Sequence, residues 1–276
     1  MSKGFITKLP QRGLVVLSGK DRFSFLNGLI SNDLSLLETQ EAVYACVLTH
    51  NGKFLYDVFV TQDKETLFLE CEGGERAVSL AKYLKRFKLR SSVDFEVVPE
   101  INVLAGINCT KPEMAYKDPR HTDMGWRCID FNGDHDKQDL SHFESFDIHR
   151  LKLGIPCGSR DMVPEKSTLI ESRIDRLNGI SFTKGCYLGQ ELTARMHHRG
   201  LAKKHLYPVQ IDGPPPENGE TLKSPQGRLL GEMRSSCNGS GPSFGIALLK
   251  DEMLEDMQNG PLRPFRPEWL DSQPED

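Results

Sequence analysis

The sequence predicts an α+β fold built on antiparallel sheets. Short strand-like runs follow one another through hairpin signals, and amphipathic helical stretches interrupt them. After Gly200 the texture turns to strands punctuated by Gly and Pro.

Taken in order, residues 14–17 (LVVL) form a short apolar strand ended by Ser18-Gly19. Residues 21–30 then set Phe25, Leu26, Leu29 and Ile30 at helical spacing, a helix laid on a strand. Residues 44–48 lead through His50-Asn51-Gly52-Lys53 into residues 54–60, and Asn-Gly is the strongest short hairpin signal. Residues 66–71 add a strand that Gly73-Gly74 breaks. Ala77, Leu80, Ala81 and Leu84 mark an amphipathic helix reaching Phe87. Residues 93–98 and 103–107 read as strands, and 131–141 (FNGDHDKQDLS) as a polar exposed loop. Residues 143–153 are helical, stopping at Gly154 with Pro156 beyond. Beyond residue 200, 203–211 is a strand, Gly213-Pro214-Pro215-Pro216 turns the chain, 235–243 (SSCNGSGPS) is a loop and 245–249 (GIALL) is another strand. Pro261, Pro264, Pro267 and Pro274 among acidic residues suggest a loosely ordered tail. The expected organisation is therefore 1–200, a small β-rich subdomain at 201–250, and a tail at 251–276.

Composition narrows the function classes. The 276 residues are 38% apolar and 27% charged, a soluble globular balance. A net charge of −4 and a pI near 6.1 give no global pull toward nucleic acid. No apolar run is long enough to span a membrane, and the first residues lack the apolar core of a secretory signal. Seven cysteines is an odd number, and they are widely spaced without a CxxC. That argues against a disulfide framework or a locally encoded zinc or cluster site, and for a reducing compartment.

One stretch carries chemistry. In KGCYLGQE, at residues 184–191, Cys186 sits between Gly185 and a turn at Gly189. Residues 181–183 read as strand-like, and Leu188, Leu192 and Met196 recur at four-residue spacing as a helix of about two turns. Cys186 is then expected just ahead of a helix N-terminus, where free N–H groups favour an anion. Lys184, Arg195, Arg199, Lys203 and Lys204 oppose only Glu191 between residues 184 and 204. Such surroundings suit a reactive or metal-ligating thiolate, while a free cysteine that merely packs is the competing reading. Glu191 and Arg195, at i,i+4, also read as a surface pair. His197 and His198 point apart on a helix, so a solvated helix end competes with metal ligation. Asp57, in the strand after the hairpin turn, is a candidate acid/base or a hydrogen-bonded strand residue.

FTKGCYLGQELTAR at 182–195 resembles the signature of the YgfZ-type proteins, relatives of the glycine-cleavage T-protein that act in iron–sulfur cluster biogenesis. LVVLSGKDRFSFLNGLISNDL, LTHNGKFLYDVFV, DPRHTDMGWR, HRLKLGIP and GIALL agree in order, covering the chain to about residue 250. The YDV strand, MGWR and ELTARxHH are most similar to the mitochondrial and alphaproteobacterial branch, whose members support [4Fe–4S] assembly. The resemblance implies a T-protein-like ring of subdomains with a small C-terminal β-barrel, the first 200 residues forming the folate-binding domain as two interleaved α+β subdomains. It implies that Cys186 is the functional thiol and a transient metal ligand, and that tetrahydrofolate is bound. Lys184, Gly185, Gly189, Gln190 and Glu191 carry over as motif members beside that site, with Arg195 following. Tyr56 and Asp57 occupy the paired acidic positions of T-proteins, Asp57 as the candidate acid/base. Lys152 stands where T-proteins grip the pterin with glutamate, and a cation cannot accept the ring's hydrogen bonds. Arg12 and Phe146 match places where some family members line folate with tryptophan.

These readings imply an assembly factor, monomeric alone, that handles iron or a cluster together with an A-type scaffold or carrier protein, without a membrane or direct nucleic-acid contact. An effect on tRNA modification would arise through cluster-dependent enzymes. The alternative is a folate-dependent one-carbon transferase working through Asp57. The expected compartment is the bacterial cytoplasm, with the mitochondrial matrix as alternative.

Overall fold

The computed structural model describes residues 4–270 apart from 132, 134–139, 225, 240 and 259. Most of the polar loop expected at 131–141 lies outside the described residues. The chain forms two units, Met1–Phe143 with Leu177–Gln190, and Glu144–Arg176 with Glu191–Asp276. The two units exchange segments, residues 177–190 belonging with the N-terminal half although composition changes only after 200.

In chain order the first unit holds strands β1 (Phe5–Leu9) and β2 (Arg12–Ser18), helix α1 (Arg22–Asn27), and strands β3 (Val43–Leu48), β4 (Phe54–Asp63) and β5 (Thr66–Glu72). Helix α2 (Glu75–Lys85) and strands β6 (Asp94–Val98), β7 (Asn102–Ile107), β8 (Tyr116–Lys117) and β9 (Trp126–Asp130) complete it. The strands make two antiparallel sheets, ordered β3-β4-β5-β2-β6 and β1-β7-β9-β8. The α+β expectation with antiparallel sheets holds.

Strand alternation decides what each face buries. Val58 and Val60 of β4, with Val15, Leu17, Leu67 and Leu69, pack under Phe25 and Leu26 of α1 and Ala77, Leu80 and Ala81 of α2. The opposite face carries Asp57 and Phe59, paired across the ladder with Cys46 and Tyr44. Both faces are covered, so β4 is buried on each side and an acid on it is taken out of water.

The second unit takes helices α3 (Phe143–Leu153), α4 (Gly158–Asp161) and α5 (Gln190–Arg199), the first residues of α3 and α5 marking its boundary. Strands β10 (Lys204–Ile211), β11 (Thr221–Lys223), β12 (Leu229–Cys237), β13 (Ser243–Lys250) and β14 (Leu262–Pro264) follow. They form one antiparallel sheet ordered β11-β12-β13-β10-β14. Tyr207, Val209, Met233, Ala247 and Leu249 fill its core. Arg150, 1% exposed, ties helix to sheet: it donates to Asp147 at 2.6 Å, Asp161 at 2.8 Å and Ser235 Oγ at 2.8 Å.

Two expectations are corrected here. The segment 235–243 is not all loop, because β12 runs to Cys237 and β13 starts at Ser243. The stretch from 251 is not a loose tail through residue 270. Met253, Met257 and Leu262 enter the core, and β14 pairs with β10. Residues 271–276 lie outside the described residues.

Candidate functional site

The bend carrying Cys186 is built from two stretches about 150 residues apart in sequence, 27–32 and 178–190. Asn32 donates its side-chain amide to the carbonyl oxygens of Tyr44 at 2.9 Å and Asn178 at 2.7 Å. Ser31 Oγ donates to the Gly179 carbonyl at 2.6 Å, and Ser181 N–H returns to the Ser31 carbonyl at 3.0 Å. Leu188 N–H closes the far end on the Gly28 carbonyl at 3.1 Å. These polar bonds, more than apolar packing, set the path of 178–188.

Lys184 is the centre of this stitching. Its ammonium donates to the Asn27 carbonyl at 2.6 Å, Asn27 Oδ1 at 3.0 Å, the Ile30 carbonyl at 3.1 Å and the Asn32 carbonyl at 2.6 Å. It also lies 5.3 Å from the centre of the Tyr187 ring. Burial pulls its pKa down to about 8, with the Asp33 carboxylate opposing. A value still above neutrality leaves the group mainly protonated, with three N–H donors.

Residues 181–183 are not the expected strand, 182–184 being bends, and the helix starts at Gln190, which leaves Leu188 outside it. Leu188 instead packs on the core of the first unit, so its four-residue spacing from Leu192 came from two different environments. The bend itself is compact. Gln190 Oε1 accepts from Tyr187 N–H at 3.3 Å, and Gln190 N–H donates to the Tyr187 carbonyl at 3.2 Å. Gly189 has φ +82°, and a Cβ there would meet the Thr49 carbonyl oxygen at 2.4 Å. Only glycine fits this crossing over the hairpin turn. A Cβ on Gly185 would meet nothing within 4 Å.

All seven cysteines are free, and Cys186 is the exposed one. Burial pushes the thiols of Cys46, Cys71, Cys109, Cys128 and Cys237 up, Cys71 to about 12. Cys46, Cys71 and Cys128 are buried like packed apolar groups and Cys109 and Cys237 are partly buried, whereas Cys186 is open to solvent. Among the described residues no three His, Cys, Asp or Glu side chains are grouped to hold a metal ion. Glu191 and Arg195 make an exposed i,i+4 pair at 3.5 Å, and His197 and His198 are exposed with rings 5.3 Å apart.

The other candidates lie elsewhere. Asp57, 3% exposed, accepts from Tyr44 Oη at 3.4 Å, while its Oδ1 is buried without a hydrogen-bond partner. Burial raises its carboxyl, with Glu72 adding to the rise and Arg12 and Arg120 opposing. Arg12 is buried in an ion cluster, its Nε 2.8 Å from Glu70 Oε1. Arg127 and Tyr116 also hydrogen-bond Glu70, and Arg120 pairs with Asp118 at 2.7 Å. Burial works to raise the Glu70 carboxyl, but the Arg127 and Arg12 guanidiniums outweigh it and hold it down at about 2. The Tyr56 ring lies under the Arg76 guanidinium at 4.5 Å. Phe146 is buried in the second unit, where Lys152 covers the Phe244 ring at 4.7 Å. The sequence reading missed Asn27, Ile30 and Asn32 as holders of the motif lysine. Their signal in the sequence is the amide-rich run LNGLISND.

With this geometry in hand, the class is clear: an α+β protein of the T-protein fold that presents a solvent-open thiol on a hydrogen-bonded bend. The structure is similar to the glycine cleavage system aminomethyltransferase T from Bartonella henselae, with a TM-score of 0.73 over 91% of this chain and 79% of that one. At 14% identity this likeness shows the fold alone. Residues 203–272 match the family model described as CAF17, C-terminal beta-barrel domain. Over 92% of its length the chain is 34% identical to the Mus musculus protein named Iron-sulfur cluster assembly factor IBA57, mitochondrial, covering 79% of it. The Homo sapiens protein of the same name is 33% identical over the same shares. The chain belongs to the IBA57 family of iron–sulfur cluster assembly factors. Both relatives carry a mitochondrial name. No helix among the described residues is long and apolar enough to cross a membrane.

Proposed function

We propose that this chain supports the maturation of [4Fe–4S] proteins, with Cys186 as the thiol that meets iron or a cluster in transit. The carrying observation is the exposure of Cys186 on an ordered bend, against five thiols that burial pushes up. The cluster is cargo. A [4Fe–4S] cluster takes four thiolates, so one cysteine needs further ligands from a scaffold or carrier protein of the A type. In such a complex the chain supplies one sulfur, while the bend fixes its approach. The reducing compartment this requires is the bacterial cytoplasm or a mitochondrial matrix.

Tetrahydrofolate is proposed as a ligand on narrower grounds. One observation fits: the orphaned, buried Oδ1 of Asp57 is an acceptor, or in the protonated acid a donor, that a polar ring edge would satisfy. Two do not. Arg12 is committed to Glu70, and Phe146 is 3% exposed, so neither offers an open face for stacking. No step is therefore assigned to folate.

The test is anaerobic maturation of an apo-[4Fe–4S] client with iron, sulfide and an A-type carrier, comparing wild type and Cys186→Ala with and without tetrahydrofolate. The Cys186→Ala protein is expected to fold as wild type yet lose client activity about tenfold or more, an interaction worth at least about 1.4 kcal/mol. Undiminished maturation by that variant removes the proposal. A rate that tetrahydrofolate leaves unchanged removes the folate part.

A further inference from the structure

We propose that Lys184 is the positioning residue of the Cys186 bend: its ammonium occupies a cage of four neutral oxygens and thereby fixes the segment that presents the thiol. This rests on the reading of Cys186 as the working thiol and adds how that thiol is held.

The cage is made by Asn27 O and Oδ1, Ile30 O and Asn32 O, at 2.6 to 3.1 Å. A lysine ammonium has three rotatable donors around a compact charge, which suits acceptors converging from several directions. The planar guanidinium fork of arginine does not reproduce that arrangement. Asn27 is itself locked, because its Oδ1 also accepts the Leu34 N–H at 3.0 Å. Among the described residues no carboxylate hydrogen-bonds the ammonium. The positive charge is therefore retained at the site, while its direct bonds go to the 27–32 stretch.

The bend has few other restraints near the thiol. Gly185 has open space around its Cα, and Cys186 makes no side-chain hydrogen bond among the described residues. Restraint comes from Lys184 on one side and from Tyr187, Leu188, Gly189 and Gln190 on the other. Removing the ammonium takes that donor from the three backbone carbonyls of the cage, while Asn27 Oδ1 keeps the Leu34 N–H. The carbonyls regain a bond in its place only if the segment lifts and water enters.

The test reads the bend directly in the full chain at pH 7. Amide hydrogen exchange is followed by peptide, and iodoacetamide labelling of Cys186 is read by mass spectrometry. In Lys184→Met, exchange over 184–189 is expected to rise about tenfold, the equivalent of one orphaned buried acceptor set. Cys186 labelling should change with it, while the β3–β4 hairpin stays protected. In Lys184→Ala, n-propylammonium replaces the missing Cγ-to-Nζ portion and should restore protection. Tetramethylammonium, which has charge but no N–H, should not. If Lys184→Ala folds only in n-propylammonium, that recovery counts the same way. Unchanged exchange and labelling in Lys184→Met overturns the cage, as does equal rescue by both ions or rescue by neither. This failure is separate from that of the thiol's role, which is removed by an active Cys186→Ala protein whatever the bend does.

Discussion

Around Glu70 and around Lys184 the first unit holds cations against oxygen by opposite means. Near Glu70 the partners are charged and sealed: Arg12, Arg120 and Arg127 face Glu70 and Asp118, and Phe59 lies 4.0 Å from the Arg127 guanidinium. Near Lys184 the acceptors are neutral carbonyls and one amide, and the segment ends at an exposed thiol. The first arrangement joins the two sheets of the unit through charges that cannot be separated cheaply. The second fixes geometry through neutral oxygens, with the Asp33 carboxylate near the ammonium but not hydrogen-bonded to it, beside a segment that ends at an exposed thiol. Paired ions suit an interior; a neutral cage suits a place where charge is to be kept.

The comparison breaks most visibly at Glu70. Glu70→Gln removes the buried carboxylate that Arg12 and Arg127 share and is expected to cost about 3–5 kcal/mol, read as a lower denaturation midpoint in urea. Its pH signature follows from the sign of the shift. The folded carboxyl lies near 2, below its ordinary 4.5, so its stabilisation is complete above about pH 4.5 and is lost as pH falls toward 2. Wild type should therefore lose stability through that window more steeply than Glu70→Gln. Equal slopes would mean the cluster is not the source of acid sensitivity.

At the bend, Gly189→Ala is the next largest change. Its positive φ and the 2.4 Å approach to the Thr49 carbonyl predict a loss of about 1–3 kcal/mol with a displaced 184–189 segment. Thermal melts and local amide exchange would register both. Gly185→Ala tests the other flank and should stay within about 0.5 kcal/mol of wild type, since nothing lies within 4 Å of the added methyl. If the two alanines behaved alike, Gly189 would not be the crossing point that orders the bend.

Local signals made much of this molecule legible. Asn51-Gly52 marked the β3–β4 hairpin, the spacing of Ala77, Leu80, Ala81 and Leu84 marked α2, and Gly154 after residue 153 marked the end of α3. KGCYLGQE singled out Cys186 because residue type and flanking glycines sit side by side in sequence. What stayed hidden was long-range or backbone-borne. The acceptors for Lys184 are mostly carbonyl oxygens, which every residue carries, so no side chain announced them. Glu70 drew no reading because its partners Arg12 and Arg127 lie 58 and 57 positions away, beyond any local pattern. The four-residue spacing of Leu188 and Leu192 misled for a related reason: a bend and a helix each used one leucine, and the count alone cannot tell the two.

The pairing of β14 with β10 bears on how this chain can be handled in the laboratory. In the sheet order, β10 would be an outer strand of eight residues if the chain were cut after 250. Leu262–Pro264 covers part of that rim with a three-residue ribbon ending in proline, which has no N–H to recruit another chain. Trimming the proline-rich end as dispensable would uncover a sticky border, and the shortened protein should precipitate through sheet-to-sheet joining before any loss of function could be seen.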